Sequence, residues 1–216
     1  MTQSDRDPQT GEPLVGNSLA DDLIAAEASL PEWEVEQKYF VDDSEQLLQE
    51  LADAGFTRSH EEVHCDMYFQ HPSRDFRQTD EAFRLRRVNN KLCVTYKGQR
   101  LDAEVKTRRE IELGLVAKDE AHWQELLGHL GFRPLPEVRK TRVVFQPARD
   151  DCQGFVVTID QVDQLGQFAE IEKIVRDPAA LSEAQKSIEE LASRLELSRV
   201  QKLSYLAQLL QKLGLE

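Results

Sequence analysis

Six short runs in this 216-residue chain place charged or polar side chains at every second position. They are Glu34, Glu36 and Lys38; Arg84 and Arg86; Thr95 and Lys97; Arg108, Glu110 and Glu112; Lys140 and Arg142; and Glu170 and Glu172. Successive side chains of a strand point to opposite faces, so each run gathers its charges on one face. The positions between them are often apolar, as at Val35, Leu85, Val94, Tyr96, Ile111, Leu113 and Ile171. A half-buried strand usually turns its apolar face inward and its charges to water, and any single run fits that arrangement. Together the runs point elsewhere, because long side chains of both signs recur on nearly every strand. If the charged faces line a barrel, acids and bases meet at close range, and buried charges persist only when paired or coordinated. A polyphosphate with a divalent cation meets both needs: its oxygens take Lys and Arg, often bidentately, and the cation takes carboxylates.

The elements that position these residues are mostly strands. Alternation predicts strands at 34–41, 61–70, 82–88, 91–97, 104–115, 137–146, 154–160 and 167–175. Helical spacing of Leu47, Leu48 and Leu51 predicts a helix over 44–54, capped by Asp43 or Ser44 and stopped by Gly55. A second helix, over 118–130, carries Trp123, Leu126, Leu127 and Leu130 on one face and ends at Gly131. From Pro178 to the end the pattern reads as helical, through Leu181, Ile188, Leu191 and Leu195 to Leu213. Eight strands with few helices between them exclude the βαβ rhythm of a parallel sheet. The expected fold is α+β: an eight-stranded antiparallel β-barrel, closed or nearly closed, with flanking helices and a helical C-terminus. Such a barrel has an interior just wide enough for one small ligand. Residues 1–30, rich in acids and turn formers, read as a disordered extension, and residues 31–216 as a single domain.

Composition bounds the partners. A formal net charge of −13 argues against stable nucleic-acid binding, which needs excess Lys and Arg to neutralise phosphates. Positive charge is nevertheless concentrated: residues 84–109 hold nine Lys or Arg against two acids, although many such runs are simply solvated. No apolar run approaches the ~20 residues of a membrane span, and the N-terminus lacks a secretory pattern. Cys65, Cys93 and Cys152 are too few and too far apart for a disulfide framework, so the expected location is the cytoplasm.

In this order, the runs resemble the CYTH family, the triphosphate tunnel metalloenzymes. Glu34-x-Glu36-x-Lys38 matches its ExExK motif, Asp66-x-Tyr68-Phe69 its D-x-Y-F strand, and Arg84-Leu85-Arg86 its R-x-R. Thr95-Tyr96-Lys97-Gly98, Arg108-x-Glu110-x-Glu112, Lys140-x-Arg142, and Ile159-Asp160 followed by Leu165-Gly166-x-Phe168-x-Glu170-x-Glu172 complete the set, spanning about 32–210. The resemblance implies that Lys38, Arg84, Arg86, Lys97, Arg108, Lys140 and Arg142 bind a triphosphate. It implies that Glu34, Glu36, Glu110, Glu112, Glu170 and Glu172 face Mg²⁺ or Mn²⁺. Glu36, Lys38 and Asp160 are the catalytic candidates, with the general base left open among the carboxylates. Val105 to Glu112, the LGQFAEIE stretch and Ser204-Tyr205 look closest to class IV adenylate cyclases and their thiamine triphosphatase relatives. The implied activity is therefore conversion of ATP to 3′,5′-cyclic AMP and pyrophosphate. Hydrolysis of thiamine triphosphate or inorganic tripolyphosphate is the alternative, and a non-catalytic polyphosphate-binding module the third reading. A homodimer is left open.

One competing motif needs disposal. His60-Glu61-Glu62-Val63-His64 fits the zinc-protease pattern H-E-x-x-H. That pattern works on a helix, where i and i+4 converge; on a strand they lie ~13 Å apart. The run leads into Met67-Tyr68-Phe69, which reads as a strand, so these residues are expected to be surface polar groups. Walker and G-x-G-x-x-G loops are absent from the sequence, so side chains must hold any phosphate.

Overall fold

The computed structural model describes residues 33–100, 108–148, 152 and 154–215, with the side chains of residues 100, 108 and 109 outside the description. The extension read over 1–30 lies outside the described residues. Nine strands form one antiparallel sheet: β1 (Trp33–Phe40), β2 (Phe56–Gln70), β3 (Ala82–Val88), β4 (Lys91–Arg100), β5 (Arg108–Leu115), β6 (Arg133–Pro134), β7 (Val138–Pro147), β8 (Phe155–Val162) and β9 (Gly166–Val175). Their order is β1-β9-β8-β7-β2-β3-β4-β5, with two-residue β6 paired to β2 off this path, so eight strands build the wall as expected. The sheet curls upon itself. Glu34 on β1 lies within electrostatic reach of Lys97 on β4 and Glu110 on β5, although β1 and β5 end the order.

Four helices lie among the described residues: α1 (Ser44–Asp53), α2 (Glu120–His129), α3 (Leu181–Arg194) and α4 (Tyr205–Leu213). Asp43 caps α1, its Oδ1 accepting from the N–H of Glu45 at 2.9 Å and of Gln46 at 3.0 Å. Ser204 caps α4, and Gly214 ends it at φ 65°, a conformation open to glycine without cost. Two expectations need correction. The helical reading from Pro178 onward breaks between Leu195 and Ser204, where the chain runs along β1: Phe40 N–H donates to Arg199 O at 2.9 Å and Gln201 N–H to Lys38 O at 2.8 Å. The physical reason is the unpaired edge of β1, whose backbone groups gain more from this segment than the segment gains from a helical turn. β2 also begins at Phe56 rather than near 61, because β7 is long enough to pair with it past an irregularity between Arg58 and His60.

Burial shows why the strand pattern is inverted. The apolar positions of β1, β7, β8 and β9 face outward and are covered by helices, where Val35, Tyr39, Val157 and Ile171 pack with Leu47 and Leu51 of α1 and Ile188 and Leu191 of α3. A second cluster, Phe69, Leu85 and Leu127 with Trp123, seats α2 on β2 and β3. Helix cover supplies the stabilising burial, about 1.5–3 kcal/mol for each fully buried large aliphatic side chain, and frees the concave face for charge. At one end that face turns apolar: Val138, Val162 and Phe168 meet Tyr205 and Leu209, so α4 stoppers the curl there. No helix among the described residues is long and apolar enough to cross a membrane.

Ile188 is fully buried where α3 meets the sheet. Ile188→Ala is expected to lower unfolding free energy by roughly 2–5 kcal/mol, the range for large-to-small core changes. Chemical denaturation measures it.

Candidate active site

Register decides which charges meet. β2 sets Asp66 opposite Arg86 and Tyr68 opposite Arg84 on β3. β7 sets Arg142 opposite Asp160 on β8, and β9 sets Glu170 opposite Lys38 and Glu172 opposite Glu36 on β1. β4 sets Lys97 opposite Glu110, and Thr95 opposite Glu112, on β5. All lie on the concave face, and Lys38, Asp66, Arg84, Thr95, Lys140 and Asp160 are buried.

Two charge clusters result. In one, Asp160 is the hub and is fully buried: Lys140 Nζ donates to it at 2.7 Å, Arg142 Nε and Nη2 at 2.7 and 2.6 Å, and the Tyr205 hydroxyl at 2.9 Å. Arg142 also pairs with Glu170, which Lys38 reaches at 3.3 Å, and Lys38 sits 3.8 Å from the centre of the Tyr205 ring. Burial works to raise the pKa of Glu170, but the charges of Arg142, Lys140 and Lys38 overcome it and hold the carboxyl well below the usual range. Lys140 is lowered to about 8, by burial first and then by the neighbouring Arg142 charge. In the other cluster Arg86 grips Asp66 bidentately, both contacts at 2.7 Å, and Arg84 reaches Asp66 at 3.4 Å and the Tyr68 hydroxyl at 3.1 Å. The cations thus form a wall held in fixed orientations by buried acids.

Facing this wall is a surplus of acid. Glu34, Glu36 and Glu172 gather at the rim away from α4, with Lys97 and Glu110 across the curl and paired at 2.5 Å. The Glu172 carboxyl is raised, by burial and then by Glu36. Glu34 is raised to about 8, by lost hydration first and then by Glu172 and Glu36; its side chain keeps more exposed surface than its neighbours, so water moderates the effect. Crowded carboxylates that disfavour one another's charge fit a divalent cation, whose charge removes the repulsion. Among the described residues no three His, Cys, Asp or Glu side chains converge tightly enough to hold an ion as they stand.

Residues 32–205 match the CYTH domain family. The chain belongs to that family. A Methanocaldococcus jannaschii protein, provisionally named an adenylate cyclase, is 35% identical over 169 residues, covering 78% of this chain and 91% of its own. A solved protein of Pyrococcus horikoshii OT3 shares 37% identity and a TM-score of 0.74, covering 83% of this chain and 99% of its own. A Hippeastrum protein, provisionally an adenylyl cyclase and described with a dominant triphosphatase activity, superposes with a TM-score of 0.61 over 85% of this chain and 96% of its own. At 16% identity that last likeness concerns the fold alone.

Against the CYTH pattern, the structure brings Lys38, Arg84, Arg86, Lys97, Lys140, Arg142, Asp160, Glu170, Glu172, Glu34, Glu36, Glu110 and Glu112 to one concave face. Glu112 accepts from Thr95 Oγ1 at 3.0 Å. The Arg108 side chain lies outside the described residues. The sequence reading gave no role to Asp66, Tyr68 and Tyr205, which orient the cations. Asp66 carried a signal, an acid in an otherwise apolar end of β2, but its partner Arg86 appears only with register. His64 is a correction: it is buried on the concave face, not a surface group, because β2 alternation places it beside Lys140 of β7.

Burial alone would raise the Asp66 pKa; the Arg86 hydrogen bonds and the charges of Arg84 and Arg86 instead lower it. A carboxyl depressed in the folded state contributes stability above its unfolded pKa and loses it as pH falls. Asp66→Asn is therefore expected to cost about 3–5 kcal/mol near neutral pH, as for a broken buried ion pair. The difference from the parent shrinks below about pH 4, the ordinary aspartate range. Denaturation curves across pH measure it.

Proposed function

We propose that this CYTH chain is a metal-dependent enzyme acting on a triphosphate held inside the β-curl, with ATP converted to 3′,5′-cyclic AMP and pyrophosphate. The observation that carries the reading is the juxtaposition, on one concave face, of a buried cation wall with a crowded set of carboxylates. Mere anion binding has no use for Glu34, Glu36 and Glu172, whose proximity disfavours their own charges. The relative at 35% identity supports the cyclase over hydrolysis. Hydrolysis of thiamine triphosphate or tripolyphosphate remains the second reading, since the groups gripping phosphate and metal serve both. All three cysteines are free, which supports a cytoplasmic location.

In this mechanism Lys38, Arg84, Arg86, Lys97, Lys140 and Arg142 bind the phosphate oxygens and neutralise charge that builds up in the transition state. Glu34, Glu36 and Glu172 would hold Mg²⁺ or Mn²⁺, with Glu110, Glu112 and Glu170 within the same face; bound there, the cation supplies Lewis-acid neutralisation of phosphate charge. Asp160 and Asp66 keep the guanidinium groups aimed. The stopper formed by α4 and Tyr205 excludes water from the far end, so the triphosphate enters from the carboxylate rim.

Incubation with ATP and Mg²⁺ or Mn²⁺ is expected to give cyclic AMP and pyrophosphate in equal amounts. Orthophosphate from tripolyphosphate or thiamine triphosphate, with no cyclic product, would overturn the cyclase in favour of hydrolysis. Glu34→Gln and Glu36→Gln are expected to abolish turnover while melting temperature without metal holds or rises, because like charges are removed. Lys97→Ala, at the open rim, is expected to weaken tripolyphosphate binding by roughly 1.5–3 kcal/mol, as for a hydrogen bond to a charged group; calorimetry reads it.

A further inference from the structure

The H-E-x-x-H run acquires a different meaning on β2. On a strand the residues that share a face are His60, Glu62 and His64, spaced along it rather than around one point. Glu62 bridges the other two: its Oε1 lies 3.2 Å from His60 Nε2 and its Oε2 2.7 Å from His64 Nε2. The chain leads from solvent inward, since the side chains of His60, Glu62 and His64 are 49%, 27% and 5% exposed. It ends on His64 Nδ1, a buried atom with no hydrogen-bond partner. Such an orphan leaves a ring nitrogen unsatisfied on the concave face, opposite Lys140 of β7.

The protonation pattern follows from the partners. Glu62 is lowered; burial opposes this, but the hydrogen bonds from His64 and His60 prevail, so the carboxylate is ionised and can only accept. Nε2 of neutral His64 therefore carries the hydrogen, and Nδ1 presents a lone pair. The charged groups facing His64 are Glu62 on its own strand, Lys140 and Arg142 on β7, and Arg86 on β3. Burial and then these three cations hold its pKa down to about 4, with the Glu62 hydrogen bond opposing. The cations are those that grip phosphate in the proposed function, so an arriving polyanion offsets the charges that keep the ring neutral.

We infer that His64 is the proton acceptor for the attacking hydroxyl, and that Glu62 and His60 connect it to solvent. The inference rests on the triphosphate reading. As the hydroxyl oxygen bonds to phosphorus and the phosphorus–oxygen bond to the leaving phosphate breaks, the hydroxyl proton passes to His64 Nδ1. The imidazolium gives its Nε2 proton to Glu62, which releases it to water at the open end of the chain. Exchange with water after product leaves restores the starting tautomer. Asp160, already accepting from Lys140, Arg142 and Tyr205, has little basicity left for this role.

The test uses the full chain with Mg²⁺ and ATP or tripolyphosphate, whichever the parent turns over. His64→Gln keeps a donor for Glu62 but takes no proton. Its tripolyphosphate dissociation constant is expected to stay within about threefold of the parent while kcat falls by about 10²–10⁴-fold, the range for general base catalysis. The acid limb of the kcat–pH profile should vanish. Glu62→Gln, which keeps the hydrogen bond but not the basicity, should lower kcat in the same direction and serves if His64→Gln fails to fold. Among the five histidines, the ring NMR titration of His64 should move upward by about one to three pH units when tripolyphosphate binds. Turnover within threefold of the parent in both variants, or an unchanged acid limb, overturns the proton path while leaving the triphosphate reading intact. Failure of tripolyphosphate to raise the parent's melting temperature with Mg²⁺ present overturns both.

Discussion

Charge neutrality on a concave, half-dry surface is the constraint on which the rest of this structure depends. An ionised side chain removed from water costs several kcal/mol unless a partner of opposite sign is held in good geometry. Here the requirement is met by networks rather than isolated pairs. Lys38, Glu170, Arg142, Asp160 and Lys140 are ion-paired in one continuous chain, to which Tyr205 donates from α4. Asp66 does the same for Arg84 and Arg86. Such networks add little net stability, because desolvation offsets their attraction. What they fix is direction: each guanidinium is aimed before any ligand arrives.

Stability has to come from outside the curl, and the helices provide it. Leu51 of α1 and Ile188 and Leu191 of α3 bury against the outward face of the sheet, where Val35, Val157 and Ile171 are fully enclosed. The fold therefore separates two tasks that most globular proteins combine. The apolar core lies between sheet and helices, and the inner face is left to polar chemistry. α4 joins the two, since Leu209 and the Tyr205 ring pack against Phe168 while the Tyr205 hydroxyl reaches Asp160.

On the proposed reading, phosphate and cation assist one another. The wall acids already occupy the lysines and arginines, so a triphosphate competes with Glu170 and Asp66 for the same donors. A divalent cation on the rim carboxylates offsets the resulting surplus of negative charge. Neither ligand is well served alone, which follows from a site that is both crowded and internally paired.

Much of this was legible in the sequence. Period-two alternation with charges of both signs named the concave-facing residues from Glu34 to Glu172, and caps such as Asp43 and Gly55 marked the first helix, because these signals depend only on local geometry. What sequence could not supply was register. That Arg86 takes Asp66, that Arg142 spans Asp160 and Glu170, and that Tyr205 reaches across from α4 are consequences of strand register and helix packing between residues 18 or more positions apart. The segment after α3 followed the same rule: its helical pattern yielded to the open edge of β1, a partner far away in the chain. His64 shows the division most clearly. Its motif fits a metal pattern and its neighbours look like surface residues, yet β2 alternation and the adjacent Lys140 bury it among cations. Local propensity chose the strand; only tertiary pairing decided which charges would surround the ring, because electrostatic environment is set by residues brought near in space.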